Sequence, residues 1–83
     1  MGETEIGKVF DYFSKIGVAA INLTGSLKIG DRIHIRGATT DFEQEVESMQ
    51  VNGKDLEEAE SGDEIGIKVA DRVRKNDAVF LLE

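Results

Sequence analysis

The sequence predicts a small all-β domain, a barrel or a sandwich, and three observations predict it. Apolar residues recur with a period of two instead of about 3.6, the spacing that places alternate side chains on one face of a strand. Turn signals made of Gly, Asn and Asp separate these runs at short intervals, as in barrels and sandwiches. The chain has 83 residues, room for one domain spanning residues 1–83.

Taken in order, Glu5 to Phe13 opens as a strand rich in β-branched and aromatic residues. Phe10, Tyr12 and Phe13 are expected to pack in the core there, although adjacent Tyr12 and Phe13 must point to opposite faces. Ile16 to Thr24 follows, with Ala19, Ile21 and Leu23 on one face. Arg32-Ile33-His34-Ile35-Arg36 alternates most clearly: the isoleucines point one way and the three cations the other. Between Thr40 and Val51 the parity changes, from Phe42 and Val46 to Met49 and Val51, which predicts a β-bulge near Glu47 or Ser48. Glu64 to Val69 alternates again, and Ala78 to Leu82 closes the chain. Lys54 to Glu60 is the one helical competitor, too short to count, with Leu56 and Ala59 its only apolar residues.

Gly30-Asp31 and Gly62-Asp63 each precede a strand. Asn52-Gly53 is a tight-turn dipeptide. Asn76-Asp77 precedes the last strand, and Asn tolerates the left-handed conformation that Gly supplies. Proline is absent, so the turns rest on Gly, Asn and Asp.

Composition narrows the function classes. Apolar residues make up 40% of the chain, enough for one core, and the charged 33% are interspersed with them, which argues against a disordered tail. Without cysteine there is no disulfide framework and no thiolate metal site, consistent with a reducing, cytoplasmic setting. No apolar run approaches the roughly 20 residues of a membrane helix, and the acidic start does not read as a signal peptide. The net charge of −7 repels phosphate backbones overall. It is unevenly spread: Thr40 to Glu64 holds ten acidic residues and one basic residue, Lys54.

The ordered turns and strands carry a resemblance. The pieces are Ile6-Gly7-Lys8-Val9, Gly17-Val18-Ala19-Ala20-Ile21, Gly25-Ser26-Leu27-Lys28-Ile29-Gly30-Asp31-Arg32-Ile33, Val46-Glu47-Ser48-Met49-Gln50, Ala59 to Ile67, and Val73 to Phe80. Together, from about Ile6 to Phe80, they resemble the β-barrel second domain of translational GTPases such as elongation factor Tu. They are also similar to freestanding barrels of that type and to a barrel appended to some collagenase-like peptidases. The resemblance implies a closed six- or seven-stranded Greek-key barrel. It implies docking on a translation-related protein or ribonucleoprotein, with tRNA or ribosomal RNA as possible contacts. Two departures stand out: Asn76, where the family has Gly, and the acidic strand from Asp41 to Glu47.

No phosphate-cradling loop of the form G-x-x-x-x-G-K followed by Ser or Thr is present, so no GTP binding is expected. His34 is the only histidine and lacks an evident orienting partner, so no catalytic role is expected. Asp41, Glu43, Glu45 and Glu47 share a face, but same-face neighbours on a strand lie about 6.5–7 Å apart, too far to chelate one ion. That row is a candidate face for a basic partner. Arg32, His34 and Arg36 on one strand, with Lys68, Arg72, Arg74 and Lys75 near the C-terminus, are the candidate nucleic-acid or partner-binding group. No exposed aromatic platform for base stacking is expected. The reading is a monomeric, non-enzymatic binding module without cofactor or metal. The alternative is a protein-interaction module unrelated to translation.

Overall fold

The computed structural model describes residues 2–83, and its regular elements are all strands. They are β1 (Glu3–Phe13), β2 (Val18–Leu23), β3 (Leu27–Lys28), β4 (Arg32–Arg36), β5 (Asp41–Glu45), β6 (Met49–Val51), β7 (Lys54–Leu56), β8 (Glu58–Ala59), β9 (Glu64–Lys68) and β10 (Ala78–Leu82). No helix among the described residues is long and apolar enough to cross a membrane. The fold is all-β.

Eight strands form one sheet in the order β5-β4-β10-β1-β2-β9-β6-β7, and β3 pairs with β8 in a separate ribbon. The sheet is strongly rolled, because β5 and β6 lie six strand spacings apart in this order yet are joined by residues 46–48 alone. Six flat spacings would span about 29 Å, whereas the link from Glu45 to Met49 reaches at most about 14 Å. The ladder nevertheless stays open. The expected closed barrel of six or seven strands is thus corrected to ten strands, eight of them in a rolled sheet with two ends. At the open seam one side chain substitutes for backbone pairing. Gln44 on β5 donates from Nε2 to the Lys68 carbonyl at 2.9 Å and accepts at Oε1 from the Ala70 N–H at 2.7 Å.

The parity change between Thr40 and Val51 has a different form from the one expected. Val46 and Met49 are both buried, but the chain leaves strand geometry between them instead of bulging within one strand. Val46 anchors this link through backbone bonds to Asp31 and Gly30. The register irregularities sit in β1 instead, between Glu5 and Gly7 and between Val9 and Asp11. The second leaves Phe10 as an extra residue without a partner on β2. Hence Val9 and Tyr12 face the core while Phe10 and Phe13 are exposed, at 40% and 48%. This corrects the expectation that all three aromatic residues pack inside and that no exposed aromatic surface exists. Lys54 to Glu60 is no helix: it forms β7 and β8. Asn52 and Gly53 both take positive φ in the β6–β7 hairpin, as a type I′ turn requires.

The core is drawn from the inner positions of these strands, among them Val9, Ile21, Ile33, Ile35, Met49, Ile65, Ile67 and Val79. Burying each such side chain contributes about 1.5–3 kcal/mol. One turn design delivers three of the strands. In Lys28–Asp31, Glu60–Asp63 and Arg74–Asp77 the aspartate N–H donates to the first residue's carbonyl, at 3.1, 3.0 and 3.1 Å. The aspartate carboxylate in turn accepts that residue's N–H, at 3.0, 2.9 and 2.8 Å. The third position has positive φ in each turn: 95° at Gly30, 96° at Gly62 and 75° at Asn76. This matches the left-handed position of a type II turn. The three turns lead into β4, β9 and β10.

Candidate partner-binding surface

Ile33 and Ile35 fill the inner face of β4, so Arg32, His34 and Arg36 must face outward. Register decides what they meet. On one side β5 sets Arg32 opposite Glu45, His34 opposite Glu43 and Arg36 opposite Asp41. On the other, β10 sets Phe80 opposite His34 and Ala78 opposite Arg36. The basic triplet and the acidic row therefore form one mixed surface.

His34 is the centre of that surface. Its Nδ1 lies 2.5 Å from a Glu3 oxygen and its Nε2 lies 2.5 Å from an Asp41 oxygen. The Asp41 hydrogen bond, followed by that of Glu3, raises its pKa above the ordinary imidazole value. When the imidazole is protonated, both nitrogens donate to carboxylates and the ring has no lone pair free for nucleophilic or general-base work. The two carboxylates also approach opposite ring nitrogens, so they cannot converge with the imidazole on one ion. Among the described residues no group of three or more His, Asp and Glu side chains is placed to hold a metal.

Arg36 reaches Glu3 at 3.7 Å and lays its guanidinium over the Phe80 ring at 4.6 Å. Arg32 pairs with Glu43 at 3.7 Å. These arginine pairs are solvent-exposed and contribute up to about 1 kcal/mol each. Sequence reasoning missed Glu3 and Phe80. Ala78 to Leu82 is apolar throughout, so its pattern does not say which residue faces out. Glu3 lies beyond the predicted start of β1 and meets His34 only through the β1–β10–β4 sheet order.

The remaining predicted cations lie elsewhere. Arg72 and Arg74 line a cleft of about 340 Å³ with Thr39, Thr40, Asp41 and Phe42. Lys68 lines another, of about 380 Å³, with Gln44, Glu45 and Glu47. Lys75 is exposed in the turn before β10. The acidic strand β5 thus stands between the β4 cations and Lys68, Arg72 and Arg74. Glu47 leaves the row of Asp41, Glu43 and Glu45, because it falls in the link after β5.

Two further features complete the surface. The β1–β2 hairpin exposes Phe13 and, at 61%, Ile16, both held by the turn in which Ile16 and Gly17 donate to the Phe13 carbonyl. A cleft of about 650 Å³ opens between β3, β7 and the link after β5.

Comparison with known proteins places this framework. The model of the family described as elongation factor Tu domain 2 matches residues 19–79. The chain belongs to the elongation factor Tu domain 2 family. The curated relatives it matches are named a protease and collagenases. It is 48% identical over 80 residues to the protein named Uncharacterized protease MJ0090 of Methanocaldococcus jannaschii, covering 95% of this chain and 20% of that protein. It is 39% identical over 80 residues to a collagenase of Porphyromonas gingivalis, covering 94% of this chain and 22% of the collagenase. The chain thus spans about a fifth of the length of these curated relatives. A crystal structure of the C-terminal domain of a Geobacillus thermoleovorans protein assigned to the U32 peptidases superposes with a TM-score of 0.90. That match covers 95% of this chain and 92% of the other at 20% identity, so it speaks for the fold.

These relatives overturn the expectation of a translation-related docking module. The domain-2 fold is present, but the proteins most of this chain aligns with are named a protease and collagenases. A shared barrel-type framework is compatible with unrelated functions, because function resides in the surface that the framework carries.

Proposed function

We propose that this chain is an accessory, non-catalytic module of a U32-type peptidase, which packs against the part of the enzyme that performs catalysis. The observation that carries the reading is the 48% identity to a protease across 95% of this chain but only 20% of that protein. The matched fifth is a self-contained fold, leaving the remainder of the relative to house the active site. The chemistry on the surface agrees: the one imidazole has both nitrogens committed to carboxylates.

The docking face in this reading is the β1–β2 hairpin, where Phe13 and Ile16 stand in solvent. Contiguous exposed apolar surface marks protein contacts, and these two side chains sit together on one hairpin turn. The Gln44 seam is where the rolled sheet would complete itself as a barrel.

The test mixes the purified chain with the Methanocaldococcus jannaschii protease truncated to lack its matching segment. Light scattering after size exclusion should show a stoichiometric complex, lost in the Phe13→Asp and Ile16→Asp variants. Absence of any complex, or hydrolysis of gelatin by the chain alone, would overturn the proposal.

A further inference from the structure

The cleft between β3, β7 and the link after β5 offers a second binding surface, on elements different from those of the β1–β2 hairpin. Its apolar base includes Ile29, 37% exposed, and half-buried Leu56. Its rim carries Glu47, Asp55, Glu57 and Glu58 against a single lysine, Lys28. Strand β7 runs along it at the end of the sheet and pairs with β6 alone.

The pairing shows which backbone groups face the open side. In a hairpin closed by a two-residue loop, the residues flanking the loop bond to each other, and bonded and non-bonded pairs then alternate. Val51↔Lys54 and Met49↔Leu56 are the bonded pairs, so the Asp55 N–H and C=O turn away from β6 toward the free edge. An extended segment could add there by main-chain bonding while its alternate side chains reach Ile29 and the acidic rim. The other end of the sheet differs: β5 has its own side chain, Gln44, bonded across the seam.

We propose that this cleft binds an extended basic peptide segment in which Lys or Arg alternates with apolar residues. Charge complementarity selects this occupant. A second copy of the chain would bring another net charge of −7, and an acidic or nucleic-acid ligand would meet four carboxylates. The inference goes beyond the peptidase reading and does not rest on it.

The test titrates the 83-residue chain into a fluorescein-labelled peptide of alternating Lys and Val and follows anisotropy at low and at raised salt. Binding should weaken with salt, and amide signals of Ile29, Asp55, Leu56 and Glu57 should shift. The Glu57→Lys/Glu58→Lys variant should lose about tenfold in affinity, a difference of about 1.4 kcal/mol. A control of equal charge change outside the cleft, Glu5→Lys/Glu64→Lys, should stay within about twofold. Ile29→Ser, at an exposed position and without charge change, should also weaken binding. Equal loss in both charge variants would reduce the effect to the general field of an acidic protein and overturn the site. So would an unaffected Ile29→Ser variant, or self-association that Ile29→Ser abolishes.

Discussion

Gln44 and Ala70 are joined across the open seam of the sheet by a 2.7 Å hydrogen bond from the Ala70 N–H to the Gln44 side-chain oxygen. The same amide donates to the carbonyl of Lys68. One side chain thereby satisfies two backbone groups, one on the last residue of β9 and one just beyond it. Gln44→Ala should therefore lower stability by about 1–2 kcal/mol, toward the low end because water can reach the exposed partners. Urea denaturation measures the loss, and hydrogen exchange at the Ala70 amide should accelerate. Gln44→Glu keeps an acceptor for Ala70 but cannot donate to Lys68, so it should fall between the two.

Gly37 and Asp77 are a second coupled pair. Asp77 is buried, and its carboxylate accepts the Arg74 N–H at the turn into β10. A Cβ at position 37 would lie 1.9 Å from Asp77 Oδ1 and 2.7 Å from its Cγ. Because Asp77 is pinned by its turn, Gly37→Ala should cost about 1–3 kcal/mol. Asp77→Ala should destabilise by itself, through loss of the turn bond. Combined with Gly37→Ala it should cost less than the sum, because the clash disappears with the carboxylate. A double-mutant cycle in thermal or chemical unfolding checks this.

The three aspartate turns share their hydrogen-bond pattern, but the third alone has a non-glycine residue at its left-handed position. Gly30 and Gly62 meet the positive φ without a Cβ, while Asn76 meets it at 75°. Asn76→Gly should be nearly neutral, within about 0.5 kcal/mol, because Asn already tolerates this region. Asn76→Val should cost about 1–2 kcal/mol or more, because a branched Cβ crowds the carbonyl in that conformation. Melting temperatures of the two variants decide the point.

His34 should make stability depend on pH near neutrality. Asp41 and Glu3 raise its pKa in the folded chain above the unfolded value of 6.5. Its contribution is then fully present below pH 6.5 and is lost as the pH rises through the folded pKa. Stability should fall with rising pH across that window, and the slope should flatten in His34→Gln. Because the ring lies near the surface, added salt should reduce the effect. An NMR titration of the imidazole gives the folded pKa directly. A value below 6.5 would contradict the arrangement.

Much of the fold was legible in the sequence because strand alternation and turn chemistry are local. The pattern Arg32 to Arg36 specified β4 residue for residue, and Gly30, Asn52, Gly62 and Asn76 marked the turns they occupy. Phe10 and Phe13 were misplaced because the irregularity between Val9 and Asp11 shifts parity without a local signature such as Gly. The short strands β3, β7 and β8 escaped notice, since two or three residues cannot display a period.

The surface was less legible. Charge listed along the chain separated an acidic row from two basic groups, but it could not say which strands would be neighbours. That depends on pairings between distant segments: β4 with β5 and β10, and β10 with β1. Those pairings put His34 between Glu3 and Asp41 and divided the basic residues with β5. The resemblance read from the turns gave the family, but the translation-related docking it implied was overturned, because residues that shape a framework are not those that meet a partner.

By itself the sequence determined an all-β domain, most of its inward faces outside β1 and its main turns, because each depends on alternation or on backbone freedom within a few residues. Only the tertiary structure decided that the sheet rolls without closing its ladder, that Gln44 spans the seam, and that Ile29 and the β7 edge share one cleft. These are contacts between segments tens of residues apart. They are fixed when the whole core packs, so no local stretch of sequence specifies them.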